Sequence, residues 1–459
     1  MLLVPVLLAM AAATPGQHSP PEGLQGALQG QQNPAPPAPV VQPPSPTPSQ
    51  PATPPQARAA QIGSVRISLD DAIRLALQHN HALQALRSTI QQSLSEEITA
   101  NLRPNPTLGL DAQFIPIFQP KQFTSDYIDQ QAQFDAGIGY LFERGKKRQH
   151  RLQAAKDQTE VVRSQVSDSE RQLIFNVGQQ FVDLLLAEST LEFAQQDLES
   201  FQKAVEISNQ RFRLGDMSES DFLKIKLQLL QFQTDVSAAK LARVQASAAL
   251  RQLLGYESVP EEYDLEGTLS YQPIHADLPS LKSMAAINRP DLRAAQQGVV
   301  AAESQLALQK ANGKMDITGT FDYSHTAGTN TGAFFYNMPL PIFNRNQGEI
   351  SRAQFAITQA QQQASETIQQ VSTDVLEAYG NLRMNNEIVQ LYESGYADEA
   401  KQSRDISEYA YHRGAASLLD YLDAERTYRA NQLAYRQALA NYMLALEQMR
   451  QAVGTRTLP

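Results

Sequence analysis

Residues 131–142 read QAQFDAGIGYLF. Ala132, Phe134, Ala136, Ile138, Tyr140 and Phe142 alternate with Gln131, Gln133, Asp135, Gly137 and Gly139. A period of two puts the apolar side chains on one face of a strand and the polar ones on the other. Three more segments carry the pattern. In 107–116, Leu108, Leu110, Ala112 and Phe114 alternate with Thr107, Gly109, Asp111 and Gln113; in 315–324, Ile317, Phe321 and Tyr323 alternate with Asp316, Thr318, Thr320 and Asp322; in 332–343, Phe334, Tyr336, Met338, Leu340 and Ile342 form one face. Each predicted strand has about 9 to 11 residues, the length with which a tilted strand crosses a bilayer. Four half-buried strands of a soluble sheet would alternate in the same way. The setting favours the membrane: the polar face carries Asp, Gln and Thr as a wet lumen would, and neither segment supplies a helix to cover the apolar face.

Outward from the strands the chain is proline-free, from Lys121 to Val259 and from Ile342 to Leu458. Long helical hairpins are predicted over about 146–254 and 347–453. In the first, Leu184, Ala187, Leu191, Ala194, Leu198, Phe201, Val205, Ser208 and Phe212 keep alternating three-and-four spacing, a coiled-coil seam. Gly215 ends that arm, and Phe222, Ile225, Leu229, Phe232 and Val236 line the return. In the second, Tyr421, Tyr428, Tyr435 and Tyr442 recur at sevens with Ala424, Asn431, Ala438 and Ala445 between them, a large-and-small packing seam.

The two halves are copies of one plan. Arg251 to Gly255 recur as Arg450 to Gly454, and Gly215, Ser218, Asp221, Phe222 and Leu223 as Gly414, Ser417, Asp420, Tyr421 and Leu422, all at an offset of 199. Phe142 and Arg144 answer to Phe343 and Arg345 at 201, and Asn80 to Asn288 at 208. A period near 200 is too long for a solenoid repeat. The domains read as 67–266 and 267–459, each with two strands and one hairpin. The fold class is mainly α with a transmembrane β part. Since the smallest membrane barrels use about eight strands, four per chain require oligomerisation.

Ahead of these repeats, the apolar run over residues 2–9 and the alanines that follow resemble a secretory signal, read as 1–14, although no Lys or Arg precedes the run. Fifteen of the 26 prolines fall in the first 60 residues, and 15–66 reads as a Pro-rich disordered linker. No stretch approaches the roughly 20 apolar residues of a transmembrane helix, which leaves a closed barrel as the way across a bilayer.

Composition removes other functions. A net charge of -10 offers no basic face to displace counterions from nucleic acid. Zero cysteines exclude a disulfide framework, a thiolate metal site and a Cys nucleophile. His79 and His81, the one close histidine pair, stand two apart and do not share a helix face. No phosphate loop, nucleophile elbow or His-Glu-x-x-His motif is present, so neither an enzyme nor a cofactor is expected. The basic run Arg144, Lys146, Lys147, Arg148 and Arg151 suits a membrane boundary.

Together with the duplicated plan, MPLPIFNRNQGE (338–349), LFERGKKR (141–148) and YHRGAASLLDYLDAE (411–425) resemble the TolC-like outer-membrane efflux proteins over about residues 67–455. The Phe-Glu-Arg-Gly-Lys-Lys-Arg form is most similar to the heavy-metal efflux branch. The resemblance implies a homotrimer in the cell outer membrane, its twelve-stranded β-barrel continued by an α-helical barrel in the periplasm. It also implies a passive conduit served by a periplasmic adaptor and an inner-membrane pump. It further implies that Asp420 and Asp423 ring the periplasmic aperture and that Tyr411 helps to hold it closed. Ala416 stands where the family has a basic residue, for which His412 and Arg413 are the substitutes at hand. Arg213, Gly215, Ser218, Gly414 and Ser417, at the hairpin turns, are the candidate adaptor contacts. The competing expectations are a structural periplasmic or surface coiled-coil protein, and, for the two aspartates, simple capping of the helix after the turn.

Overall fold

The computed structural model describes residues 65–274 and 277–458. The expected signal segment 1–14 lies outside them, as does the expected linker 15–66 except for its last two residues. That boundary is corrected: Arg66 belongs to β1 (Arg66–Ile67), a parallel bridge to β4 (Asp264–Leu265), because Ile67 and Leu265 both enter one hydrophobic core.

The alternating segments form β2 (Thr107–Gln113), β3 (Gln133–Phe142), β5 (Ile317–Thr326) and β6 (Thr329–Asn337). They make one antiparallel sheet in the order β2-β3-β5-β6, so the repeats join at β3–β5. Among the described residues the outer edges of β2 and β6 pair with nothing. Register aligns the faces: Leu108 opposes Ile138, which opposes Phe321, which opposes Phe334. This apolar face is bare, with Leu108 69%, Leu110 74%, Ile138 59% and Phe334 72% exposed.

Strand limits differ from the sequence reading for local reasons. The strand expected over 107–116 stops at Gln113, where Phe114 turns to φ 57 and Pro116 follows. Those expected over 315–324 and 332–343 run further toward each other, since Ala327 and Gly328 (φ 51 and 72) make a tight two-residue turn. β6 then ends at Asn337. Pro339 and Pro341 lack the amide hydrogen a ladder needs, so Met338, Leu340 and Ile342 leave the strand.

Helices α1 (Leu69–His79) and α2 (His81–Asn101) lead into the first strand pair. The short α3 (Ser125–Gln130) lies between β2 and β3. Next come α4 (Lys147–Leu214) and α5 (Glu219–Leu254), then α6 (Leu278–Asn288) and α7 (Pro290–Asn312) before β5. At 68 residues α4 is about 100 Å long. All nine of its seam residues are buried or half-buried. Its first half packs on α2 and α7, through Arg151 Nε to the Ala100 carbonyl (3.0 Å) and Ser164 Oγ to Gln297 (2.6 Å).

The second hairpin does not run as one unbroken arm from 347. α8 (Gln347–Leu391) gives way to a π-helical turn over Tyr392–Tyr396 before α9 (Ala397–His412) and α10 (Leu418–Val453). Gly395, at φ 126, takes a conformation a side chain would resist.

The duplication extends to the cores. Leu250 and Leu254 close one with Val177 and Phe181; their counterparts Met449 and Val453 close another with Ala378 and Leu382. Each strand-to-helix elbow caps its helix with a left-handed residue, Lys146 (φ 59) or Asn346 (φ 64). The basic run at the first elbow is partly neutralised: Lys147 meets Asp316 at 2.6 Å and Arg151 meets Glu143 at 2.8 Å.

A candidate gate at the hairpin tips

Both hairpin turns are built alike. Gly215 (φ 82) and Gly414 (φ 74) take the left-handed conformation that ends the incoming helix. Ser218 and Ser417 cap the outgoing helices, accepting from the amides of Asp221 (3.1 Å) and Asp420 (3.2 Å). Arg213, Gly215, Ser218, Gly414 and Ser417 are all exposed. The tips touch, since Met217 packs against the cluster that holds Leu418 and Tyr411.

The three candidate gate residues fall into two environments. Asp420 and Asp423 are exposed at the start of α10. The Asp420 carboxylate accepts from the Ser417 hydroxyl (2.7 Å) and amide (3.1 Å), and those bonds hold it below the usual carboxylate range. Asp420 thus caps the helix in a reciprocal capping box with Ser417. Among the described residues Asp423 has only Arg426, at 3.8 Å. Tyr411 is inside the protomer, 5% exposed, its ring stacked on Tyr421 at 5.3 Å. Arg211 of the first hairpin sits 5.2 Å above that ring and donates to the Tyr411 carbonyl at 3.4 Å. The cations suggested by the sequence are engaged elsewhere: His412 is 3.7 Å from Glu408, and Arg413 lies over Tyr409.

Above the tip lies a cluster that sequence reasoning missed. Arg429 bridges Asp197 of α4 (2.6 Å) and Asp235 of α5 (2.5 Å) and stacks on Phe232 at 4.1 Å. Glu425 is buried beside Asp197, with Arg404 of α9 at 3.9 Å. Burial, then the charge of Asp197, pushes the Glu425 carboxyl up to about 8. These residues flank the three-and-four seam rather than stand on it. α4 and α10 each pack against helices on two sides, so the buried stripe is wider than one seam.

At the other end, the polar face of the sheet gathers acids. Asp111 and Asp135 are directly opposed across β2–β3. Asp322 lies over Gly137, where an added Cβ would be 2.7 Å from its carboxylate oxygen. Gln113 and Gln133 each donate to the Asp two residues away. Among the described residues no cluster of His, Cys, Asp or Glu has the arrangement of a metal site, and no helix is long and apolar enough to cross a membrane. The arrangement is a bare apolar sheet face backed by an acidic one, on long hairpins with acidic tips.

The sequence profile of the outer membrane efflux protein family matches residues 72–256 and 281–455. The chain belongs to that family. This outer membrane efflux protein is 22% identical over 391 residues to the cobalt-zinc-cadmium resistance protein CzcC of Cupriavidus metallidurans, covering 85% of this chain and 88% of CzcC. It is 24% identical over 324 residues to outer membrane protein TolC of Vibrio cholerae, covering 66% of this chain and 72% of TolC. Among solved structures, CusC aligns with TM-score 0.70 at 18% identity, over 85% of this chain and 93% of CusC. The open state of the MtrE outer membrane channel of Neisseria gonorrhoeae aligns with TM-score 0.70 at 19% identity, over 84% and 89%. The fold of this efflux protein is that of the outer-membrane channels, and the protein is an outer-membrane channel of the efflux class.

Proposed function

We propose that three copies of the chain close a twelve-stranded barrel in the outer membrane, continued by a barrel of their helical hairpins in the periplasm. The supporting observation is the sheet itself: four strands with an exposed apolar face and two open edges, too few to close alone. Joining β2 of one copy to β6 of the next satisfies both edges and turns Asp111, Asp135 and Asp322 toward a water-filled lumen. The trimer is a passive conduit from periplasm to exterior; a periplasmic adaptor seats on the tips around Arg213, Gly215, Ser218, Gly414 and Ser417, and an inner-membrane pump supplies the energy. No catalytic step or resident cofactor belongs to this role. The names of CzcC and of CusC, a cation efflux protein, favour heavy-metal ions as the cargo.

At the periplasmic end Asp420 and Asp423 of three copies form a narrow acidic ring, while Tyr411 anchors the second hairpin to the first from within each copy. Carboxylates crowded on an axis repel one another and attract cations, so a divalent ion plugs the ring. Purified protein in a planar bilayer tests this. Cation-selective conductance blocked by divalent ions is expected, with the block lost in the Asp420→Ala, Asp423→Ala double variant; unchanged block removes these residues from the aperture.

A further inference from the structure

The charged cluster sealed between the hairpins has no part in the channel described above. Asp197 and Glu425 are each 5% exposed. The groups facing them come from four helices: Asp197 itself from α4, Asp235 from α5, Arg404, Asp405 and Glu408 from α9, and Tyr421, Tyr428 and Arg429 on α10. Arg429 is committed to Asp197 and Asp235. Arg404 stands 2.7 Å from Asp405 and stacks on Tyr428 at 4.4 Å, which leaves it 3.9 Å from Glu425. Two guanidiniums therefore face a larger number of carboxyls, and an ionised Glu425 would be a buried charge without a full partner. Two adjacent carboxyls resolve this by sharing one proton. The counterpart of Glu425 in the first repeat is Lys226, which is exposed, so the device exists in the second hairpin alone.

We infer that Glu425 and Asp197 are a proton-held latch: one proton shared between them seats α10 against α4, and its loss loosens the two hairpin tips from each other. The consequence for transport rests on the channel reading above; the latch itself does not.

The direction with pH follows from proton binding. In the packed state Glu425 keeps its proton up to about pH 8, whereas its ordinary value is 4.5. The packed state thus binds a proton that a loosened, hydrated state releases. Packing is fully favoured below the ordinary value, weakens as pH rises through the window, and changes no further above about 8. Within the window the ratio of loosened to packed molecules rises by up to about tenfold per pH unit.

The chain has no cysteine, so spin labels on Arg213→Cys and Ala416→Cys can report the separation of the tips in the full-length protein in detergent. Pulsed dipolar spectroscopy across acidic to alkaline pH should show a wider-spaced population growing with pH, and Glu425→Gln, which mimics the protonated side chain, should abolish that growth. Asp197→Asn is the second variant. With the neighbouring charge gone, Glu425 ionises at lower pH, and the midpoint should move down. Difference infrared spectroscopy at neutral pH should show a protonated carboxylic acid that disappears in Glu425→Gln. A tip separation independent of pH, a pH dependence that survives Glu425→Gln, or no protonated acid at neutral pH overturns the latch. None of these readouts requires conductance, so failure of the channel reading and failure of the latch are told apart.

Discussion

The two hairpin turns share a design and differ in charge. At the offset of 199, Gly215 corresponds to Gly414, Ser218 to Ser417 and Asp221 to Asp420, and each hairpin carries a stacked aromatic pair, Phe212 on Phe222 and Tyr411 on Tyr421. Three residues further on they part. The first turn has Lys224, 3.1 Å from Asp221, and the second has Asp423. The first turn pairs its aspartate with a lysine, and the second carries two exposed carboxylates, Asp420 and Asp423. The two hairpins are tied to each other through Arg211 on Tyr411 and Arg429 on Asp197, and the aromatic pair of the second lies deeper, both of its rings being buried while Phe212 is half-buried. Duplication supplied a common scaffold. A few side chains then set the two turns apart.

Substitutions put that contrast to the test, and the largest effect is expected at Arg429. Removing it with Arg429→Ala leaves Asp197 buried and unpaired and should cost about 3–5 kcal/mol in thermal unfolding. Truncating the aromatic pairs comes next. Tyr411→Ala, at a buried ring, should cost about 3–5 kcal/mol, against about 2 kcal/mol for Phe212→Ala at a half-buried one; equal losses would deny the second pair its deeper burial. Tyr411→Phe should be close to neutral, because among the described residues the hydroxyl has no hydrogen-bond partner. Ser218→Ala and Ser417→Ala should each cost about 1 kcal/mol, the usual worth of an N-cap.

The smallest effect is a pH dependence. Asp221 and Asp420 are both held below the ordinary carboxylate value, so each stabilises its turn above that value and loses the contribution as pH falls through its lowered one. For Asp221 the first cause is Lys224 and the next Ser218, while for Asp420 it is Ser417 alone. Acid titrations of the two serine variants should therefore differ. Ser417→Ala removes the larger cause of the depression at Asp420 and leaves only the bond from the residue-417 amide, whereas Ser218→Ala leaves the first cause, Lys224, in place at Asp221.

What the sequence disclosed, it disclosed through periodicity. The apolar alternation in 107–113, 133–142 and 317–326 is a property of neighbouring residues, and the three-and-four seam of α4 is equally local. Where the period was read too far, other chemistry decided: Pro339 and Pro341 end β6 although Leu340 and Ile342 keep the alternation. The π-turn at Gly395 left no mark, since one glycine in a helical stretch is ordinary. The tip aspartates and turn residues were named from pattern and resemblance. The cluster of Asp197, Asp235, Arg404, Glu425 and Arg429 was not, because it is assembled from four helices, α4, α5, α9 and α10, and only packing brings it together.

In the proposed barrel one face of the sheet meets lipid and the other meets water. A cysteine-free chain allows single cysteines, each carrying a fluorophore, to be placed along β2, β3 and β5 in protein reconstituted with brominated lipid. Labels at Leu108, Leu110, Ile138 and Phe321 should be quenched by the lipid, while labels at Asp111, Asp135 and Asp322 should instead respond to a water-soluble quencher. Quenching by lipid at both sets, or at neither, would contradict it.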